Sequence, residues 1–463
     1  MITASSIIEL KRIAFRNLAR HRVKTILTCI AIMVSVAMYI FVDGWLMGMN
    51  IESKRNIVNY EMGAAKLQAR AYIDQLDEKP MYENFSGWET YAAALETCGY
   101  DSAPRFVFSG TLYSETGSAP VVFNAIEPAA DASLLRYAGW VEQGRFIKSG
   151  AFEIVLGSET AKKLHVGGPD DNNDVRISTV IDIKDESGVV RHVYQIIDAV
   201  VVGTINSPNP KNNNNCAWLP LDVLQDDAGM MLGGHITELL IRAKNADDAA
   251  VPGLFESPQT ITANIAATVT LPPELGIFGW ETYSVDYLNA AAGDNWSTRI
   301  MVIILFILSF LGIANTMLLA ILERTKEIGM MRAQGMTNGQ LVFTYMLEAG
   351  MVGFFGSVLG VIIGCLINIP MVKYGIDYSQ MMEAMGGNMG YRVNGIFRSA
   401  WNVPVIIGTG IIAVLLSSVT AFFPTRRALE MPITESLPPS RLQCRAPRGA
   451  RVFSCCPAML RKK

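Results

Sequence analysis

Four runs without a single Asp, Glu, Lys or Arg, at 25–42, 300–322, 349–372 and 399–425, divide this 463-residue chain into segments of two kinds. A helix crossing the hydrocarbon core of a bilayer needs about 20 predominantly apolar residues, and each run falls in that range. The pattern predicts transmembrane helices at 25–48, 298–322, 341–372 and 401–425. The first apolar run is too long for the core of a cleaved signal peptide. It reads as an uncleaved anchor whose helix continues past Asp43 as a stalk toward Lys66. Ahead of it, Ile7, Ile8, Leu10, Ala14, Phe15 and Leu18 gather near one helical side with basic residues between them, the pattern of an interfacial helix within 1–24.

From 49 to 297 the pattern becomes that of a soluble α/β domain. Tyr91–Thr97 reads as a helix, Pro120–Ile126 and Ile154–Leu156 as strands, and Ser158–Leu164 as a short helix with Ser158 as its cap. Further strands are expected at Val175–Val180, His192–Ile205, Ala217–Leu219 and Ile236–Ala243, with a helix at Asp247–Ser257. Turn chemistry at Asp185–Gly188 and Pro208–Asn215 punctuates this section. The expected fold is an α-helical membrane protein with four transmembrane helices and a large extracytoplasmic α/β (α+β) domain. That domain comprises a mixed lobe and an inserted β-rich lobe at about 168–230.

Between the second and third runs, Glu323, Arg324, Lys326, Glu327 and Arg332 alternate with Ile328, Met330, Met331 and Ala333. This predicts a short amphipathic helix within 323–340, with Gly329 and Gly335 as possible breaks. In the second run Asn315 and Thr316 sit among apolar residues, where polar groups hydrogen-bond between helices. The third run opens near Glu348, which is either a functional intramembrane acid or a snorkelling, locally paired one. It also carries Gly350, Gly353, Gly356, Gly360 and Gly364. The glycines at 356, 360 and 364 line one face, where a neighbouring helix can approach closely.

Charge orients the chain. Residues 43–298 hold 17 basic against 34 acidic residues, a net of −17 within a whole-chain net of −3. Lys11, Arg12, Arg16, Arg20, Arg22 and Lys24 precede the first run, opposed by Glu9 alone, and nine basic residues against two acidic ones follow from 426. Under the positive-inside rule both termini and the loop 323–340 are cytoplasmic and the acidic region lies outside. Lys54 and Arg55 run against the rule but are outnumbered. A Met- and Gly-rich extracytoplasmic loop spans 373–400, and the basic tail 426–463 reads as disordered beyond Leu437.

Of the seven cysteines, Cys98 and Cys216 share the outer region and could pair in an oxidising compartment; the others lie in spans or the tail and form no metal pattern. His21, His165, His192 and His235 are isolated. No G-x-x-x-x-G-K-[ST] loop, H-E-x-x-H or G-x-S-x-G occurs, so no catalytic residues are assigned, and ATP hydrolysis by a phosphate-loop mechanism is excluded for this chain.

Several stretches carry a resemblance. Gly312–Thr337, with Arg324, Lys326-Glu-Ile-Gly329 and Arg332-Ala333 followed by Gly335, resembles the second span and cytoplasmic loop of the MacB, FtsX and LolC/LolE permeases. Gln334 departs from the aliphatic residue usual there. Glu348 with its glycines, Pro424–Leu437 and Ala14–Arg20 followed by Lys24-Thr25 are similar to other parts of the same family. So are Glu142–Phe146 and Glu153–Leu164 in the outer domain; the resemblance covers 10–437.

The resemblance implies a non-catalytic membrane subunit of a mechanotransmitting (type VII) ABC transporter in the bacterial inner membrane. Two permeases, identical or not, would pair beside a cytoplasmic ABC ATPase dimer that alone binds ATP and Mg. Glu323, Arg324, Lys326, Glu327, Ile328, Met331 and Arg332 would form the coupling helix, with Ile328 and Met331 filling a groove on the ATPase. Asn315, Gly353, Gly356, Gly360 and Gly364 would serve helix packing. By layout the chain is most similar to the LolC/LolE type, which implies lipoprotein release and a periplasmic chaperone. The alternatives are MacB-like efflux of peptides or drugs through an adaptor, and FtsX-like signalling to a cell-wall hydrolase. No nucleic-acid partner is implied.

Overall fold

The computed structural model describes residues 22–168, 171–184, 190–226, 233–244, 257–323, 325–377 and 396–429. The interfacial helix before the first span, nearly all of the helix expected at 247–257, and the tail from 430 lie outside them. The chain divides into two compact units: 34–306 with 359–409, and the described parts of 1–33, 307–358 and 410–463.

Helix α1 (Arg22–Ile57), whose residues from Val34 onward belong to the larger unit, leads into a π-turn, Val58–Met62. At 1.5 Å per residue α1 is about 54 Å long, more than the roughly 30 Å of a bilayer core, so its outer part is the expected stalk. Ten strands follow: β1 (Ala65–Ala69), β2 (Tyr100–Tyr113), β3 (Ser118–Ile126), β4 (Val141–Gly144), β5 (Glu153–Gly157), β6 (Asp174–Lys184), β7 (Val190–Ile205), β8 (Cys216–Pro220), β9 (Glu238–Ala243) and β10 (Leu275–Gly279). They form one sheet. The first half of β2 pairs with β9, and β9, β1 and β10 continue that wing.

The other wing closes on itself. β2 pairs with β3, β3 with β8, β8 with β5, β5 with β7, β7 with β6, and β6 returns to the far end of β2. Two of these contacts, β3 with β8 and β5 with β7, are parallel. Each strand of this six-stranded ring has a neighbour on both sides over part of its length, while Val190–Ala199 of β7 pairs with β6 alone. Alternate residues point into one buried cluster, including Phe108, Leu112, Phe123, Leu156, Ile177 and Val201. The rings of Phe108 and Phe123, directly paired across β2 and β3, stack at 5.0 Å. Closure depends on Gly110: a Cβ there would lie 2.7 Å from the Ser178 carbonyl oxygen, where β6 meets β2. The segment 168–230, expected as an inserted β-rich lobe, therefore contributes β6, β7 and β8 to the same sheet as the 100–157 strands.

One local expectation is corrected and one open alternative is resolved. Ser158 does not cap its helix, Ser158–Leu164: the N-cap is Gly157, in extended conformation, while Ser158 is the first helical residue and buried. Cys98 and Cys216 are both free; Cys98 donates to the Asn264 carbonyl and Cys216 is buried.

The stalk is a pair of helices. Further along, α2 (Val285–Glu323) begins beside the outer end of α1. Ile57, Val58, Met62, Trp280 and Tyr287 form a shared cluster, and Tyr287 Oη donates to the Asn50 carbonyl at 3.1 Å. Lys54, a residue counted against the topology rule, rests its ammonium 5.8 Å over the Trp280 ring.

After α2 come α3 (Thr325–Ala333), α4 (Asn338–Lys373) and α5 (Val403–Leu429). Three segments are long and apolar enough to cross a membrane among the described residues: Thr25–Met62, Asn338–Lys373 and Val403–Arg427. The second expected span, 298–322, lies within the 39-residue α2, several of whose side chains are outside the description. The loop expected at 373–400 contains a two-residue pairing of Ile376–Asp377 with Ile396–Phe397.

Candidate coupling site and helix seams

Within 307–358 and 410–429, the turn between α2 and α4 is fixed by its own sequence. α3 ends in a Schellman motif: Met336 N–H donates to Met331 O at 3.1 Å and Gly335 N–H to Arg332 O at 3.0 Å. This needs a left-handed residue, supplied by Gly335 at φ +93°. Gly335 is thus the break, while Gly329 lies inside α3. Two residues later α4 starts with a capping box. Thr337 N–H donates to Gln340 Oε1 at 2.9 Å, and Gln340 N–H to Thr337 Oγ1 at 3.4 Å. The Thr337-x-x-Gln340 spacing carries that signal in the sequence, and the sequence reading missed it.

The two faces of α3 differ. Ile328 is 5 % exposed and packs in a cluster with Ile321, Leu341, Tyr345 and Leu429, joined by half-buried Met331 and Met336. Arg332 donates from Nη1 to the Leu429 carbonyl at 3.4 Å. Ile328 and Met331, expected to fill a partner's groove, pack on the ends of this chain's own helices, Ile328 buried and Met331 half-buried. On the opposite stripe Met330 is 53 % exposed, and Gln334 is exposed beside it at i+4. Glu323 is exposed and Glu327 half-buried; Arg324 and the Lys326 side chain fall outside the description. Gln334, the departure from the family pattern, is therefore a surface residue rather than a packing one.

The glycines of α4 serve two neighbours, not one. A Cβ on Gly350 would lie 2.5 Å from Ser418 Oγ, and one on Gly353 would meet Ser417 and Val414, so this pair packs on α5. A Cβ on Gly356 would meet Cys29 and Ile32 of α1 at about 3.1 Å. Gly360 is buried, and Glu348 is 8 % exposed. Asn315 is exposed on α2.

In the other unit, Gly364 packs on Ala37 and Ile40 of α1. A second seam there was not anticipated. Gly44 and Gly48 of α1 lie against the backbone of 398–400, where Ala400 N–H donates to Gly44 O at 2.9 Å. Asn402 donates to Asp43 at 2.9 Å, and Ser399 to Asn368 at 2.5 Å. The Gly-x-x-x-Gly spacing at 44 and 48 was the available signal.

The outer domain holds buried ion pairs. Arg105 makes a two-pronged contact with Asp131, at 2.8 and 3.0 Å, and donates to Tyr137 Oη. Lys66 meets Glu238 at 2.7 Å, and burial pushes its ammonium below the usual lysine range.

The profile of the MacB-like periplasmic core domain matches residues 25–251, and that of the FtsX-like permease C-terminal region matches 299–433. The chain belongs to the MacB/FtsX/LolC-type superfamily of ABC-transporter permeases. The permease is 23% identical to an uncharacterised ABC transporter permease of Methanocaldococcus jannaschii, over 92% of this chain and 96% of that one. It is 21% identical to the lipoprotein-releasing transmembrane protein LolC of Neisseria meningitidis, over 73% and 78%. With the macrolide export ATP-binding/permease protein MacB 2 of Aeromonas hydrophila it shares 24% identity over 78% of this chain, spanning 53% of that longer protein. Among solved structures, the periplasmic region of MacB from Actinobacillus actinomycetemcomitans is similar over 50% of this chain and 96% of that one, with a TM-score of 0.32 and 12% identity. A permease of this class is a multi-pass membrane subunit that acts with a cytoplasmic ATPase.

Proposed function

We propose that this permease is the transmembrane half of a MacB-like exporter of amphipathic peptides or drug-like molecules, driven by an ATPase on a separate chain. The observation that carries the coupling reading is the division of α3: Ile328 faces inward at 5 % exposure while Met330 faces outward at 53 %. The outward stripe of Met330, Gln334 and Glu327 docks on the ATPase, and Arg324 and Lys326 of the same loop contribute charge to that contact. Ile328, Met331 and Arg332 then pass the motion to the helix ends they pack on. In this reading α2 is the second of four spans, both termini are cytoplasmic, and a second copy of the permease packs against the exposed α2 face that carries Asn315. More of the relatives are MacB exporters than LolC subunits, which favours export.

The test is isolation of the full-length tagged permease from membranes, with identification of what accompanies it. An ATPase that co-purifies with the wild type and is lost with Met330→Asp supports the docking face; an ATPase retained by that variant sinks it. Cargo is read from a strain depleted of the permease, which should become sensitive to amphipathic peptides while its outer-membrane lipoproteins localise correctly. Lipoproteins retained in the inner membrane would instead establish the lipoprotein-releasing reading.

A further inference from the structure

The outer domain contains a cavity of about 300 Å³, roughly ten water volumes, beneath the π-turn that ends α1. Its floor holds Lys66, Arg105 and Glu238, all buried, and carbon walls are supplied by Val107, Val122 and Trp218. Nearer the mouth lie Lys79, Lys211 and Asp77.

Most of these charges are already matched. Arg105 is held by Asp131, Lys66 by Glu238 Oε2, and Lys211 by Glu61, which also accepts from Asn209. Apart from Asp77 at the rim, two charged groups are left over. The Lys79 ammonium, half-buried, has no hydrogen-bond or ion-pair partner among the described residues. Glu238 Oε1 is buried and likewise without a partner. Buried polar atoms are paired in the great majority of cases, so the unmatched Glu238 oxygen calls for a donor, and Lys79 nearer the mouth of the same cavity is open to an acceptor. Lys79 also has φ +51°, a left-handed backbone that a lysine adopts at a cost. Asp77 is exposed at the rim, where solvent screens it.

We propose that this cavity binds a zwitterion of dipeptide size, its carboxylate on Lys79 and its ammonium toward Glu238 Oε1. The apolar walls between the two ends accept short side chains, and the volume sits at the lower limit of small-molecule sites. The site is separate from the coupling face of α3 and does not depend on the exporter reading.

The experiment is calorimetric titration of the purified full-length permease with alanylalanine, its C-terminal amide and its N-acetyl form. The dipeptide should bind saturably, and each blocked form should bind at least about tenfold more weakly, since each loses a charge-assisted hydrogen bond. Lys79→Gly should weaken the dipeptide by a similar factor and abolish discrimination against the amide. Glycine tolerates the positive φ, so this variant folds. Glu238→Gln, isosteric, should abolish discrimination against the acetylated form. No saturable binding of the dipeptide below about 10 mM overturns the proposal, as does equal binding of all three compounds or unchanged binding by Lys79→Gly.

Discussion

Replacing Ile328 with alanine tests whether α3 is fastened to its own chain. The substitution removes three carbons from a side chain that is 5 % exposed, in a cluster with Ile321, Leu341, Tyr345 and Leu429. At about 0.8 kcal/mol per buried methylene the transfer loss is roughly 2.4 kcal/mol, before any cavity left behind. That is close to fiftyfold in the equilibrium between docked and undocked α3. Met330→Ala, at a site 53 % exposed, should change the same equilibrium by less than about 0.5 kcal/mol, or roughly twofold. Hydrogen exchange of the backbone amides of 325–335 in the purified permease reads both directly. Exchange in Ile328→Ala should accelerate about fiftyfold, and in Met330→Ala barely at all. Equal acceleration in the two variants, or none in Ile328→Ala, would refute the division of the helix into an anchored and a free face.

Gly335→Ala places a Cβ on a residue at φ +93° and should cost about 1–2 kcal/mol, seen as earlier thermal unfolding; Gly335→Asn should cost less. Thr337→Ala removes the reciprocal cap of α4 and should lose about 1 kcal/mol in the same measurement. Gly353→Val should disturb the seam with α5 and Gly356→Val the seam with α1. Cysteine cross-linking between 353-side and 356-side neighbours should therefore fail selectively, one seam per variant. Arg145 holds the Glu153 carboxyl below the usual range. A depressed carboxylate stabilises above its unfolded pKa, and that support is lost as pH falls through the folded value. Acid unfolding of the wild type should thus be steeper below about pH 4.5 than that of Glu153→Gln.

Most strands and the break at Gly335 were legible because they are written locally. Alternation in β3, β6 and β7 and the Ser158–Leu164 periodicity need no knowledge of distant chain. Ring closure was not legible, because the pairing of Gly110–Tyr113 with Arg176–Thr179 joins residues more than sixty positions apart through one glycine. The direction of Ile328 was hidden for a related reason. Periodicity shows that Ile328 and Met331 lie on a different face from Met330 and Gln334. It does not say which face meets this chain and which meets another. Leu429, nearly a hundred residues away, decides that. The glycines of α4 were likewise visible, while their division between α5 and α1 depends on where those helices run.

The two caps around Gly335 and Thr337 have a consequence for encounter kinetics. A flexible loop must lose backbone freedom at roughly 1–2 kcal/mol per residue when it is gripped. Here the Schellman bonds and the Thr337–Gln340 exchange hold the turn in one conformation from within eleven consecutive residues, 330–340. A partner docking at Met330 and Gln334, as proposed, would meet a surface already shaped, so little ordering entropy would oppose it and repeated engagement would be fast.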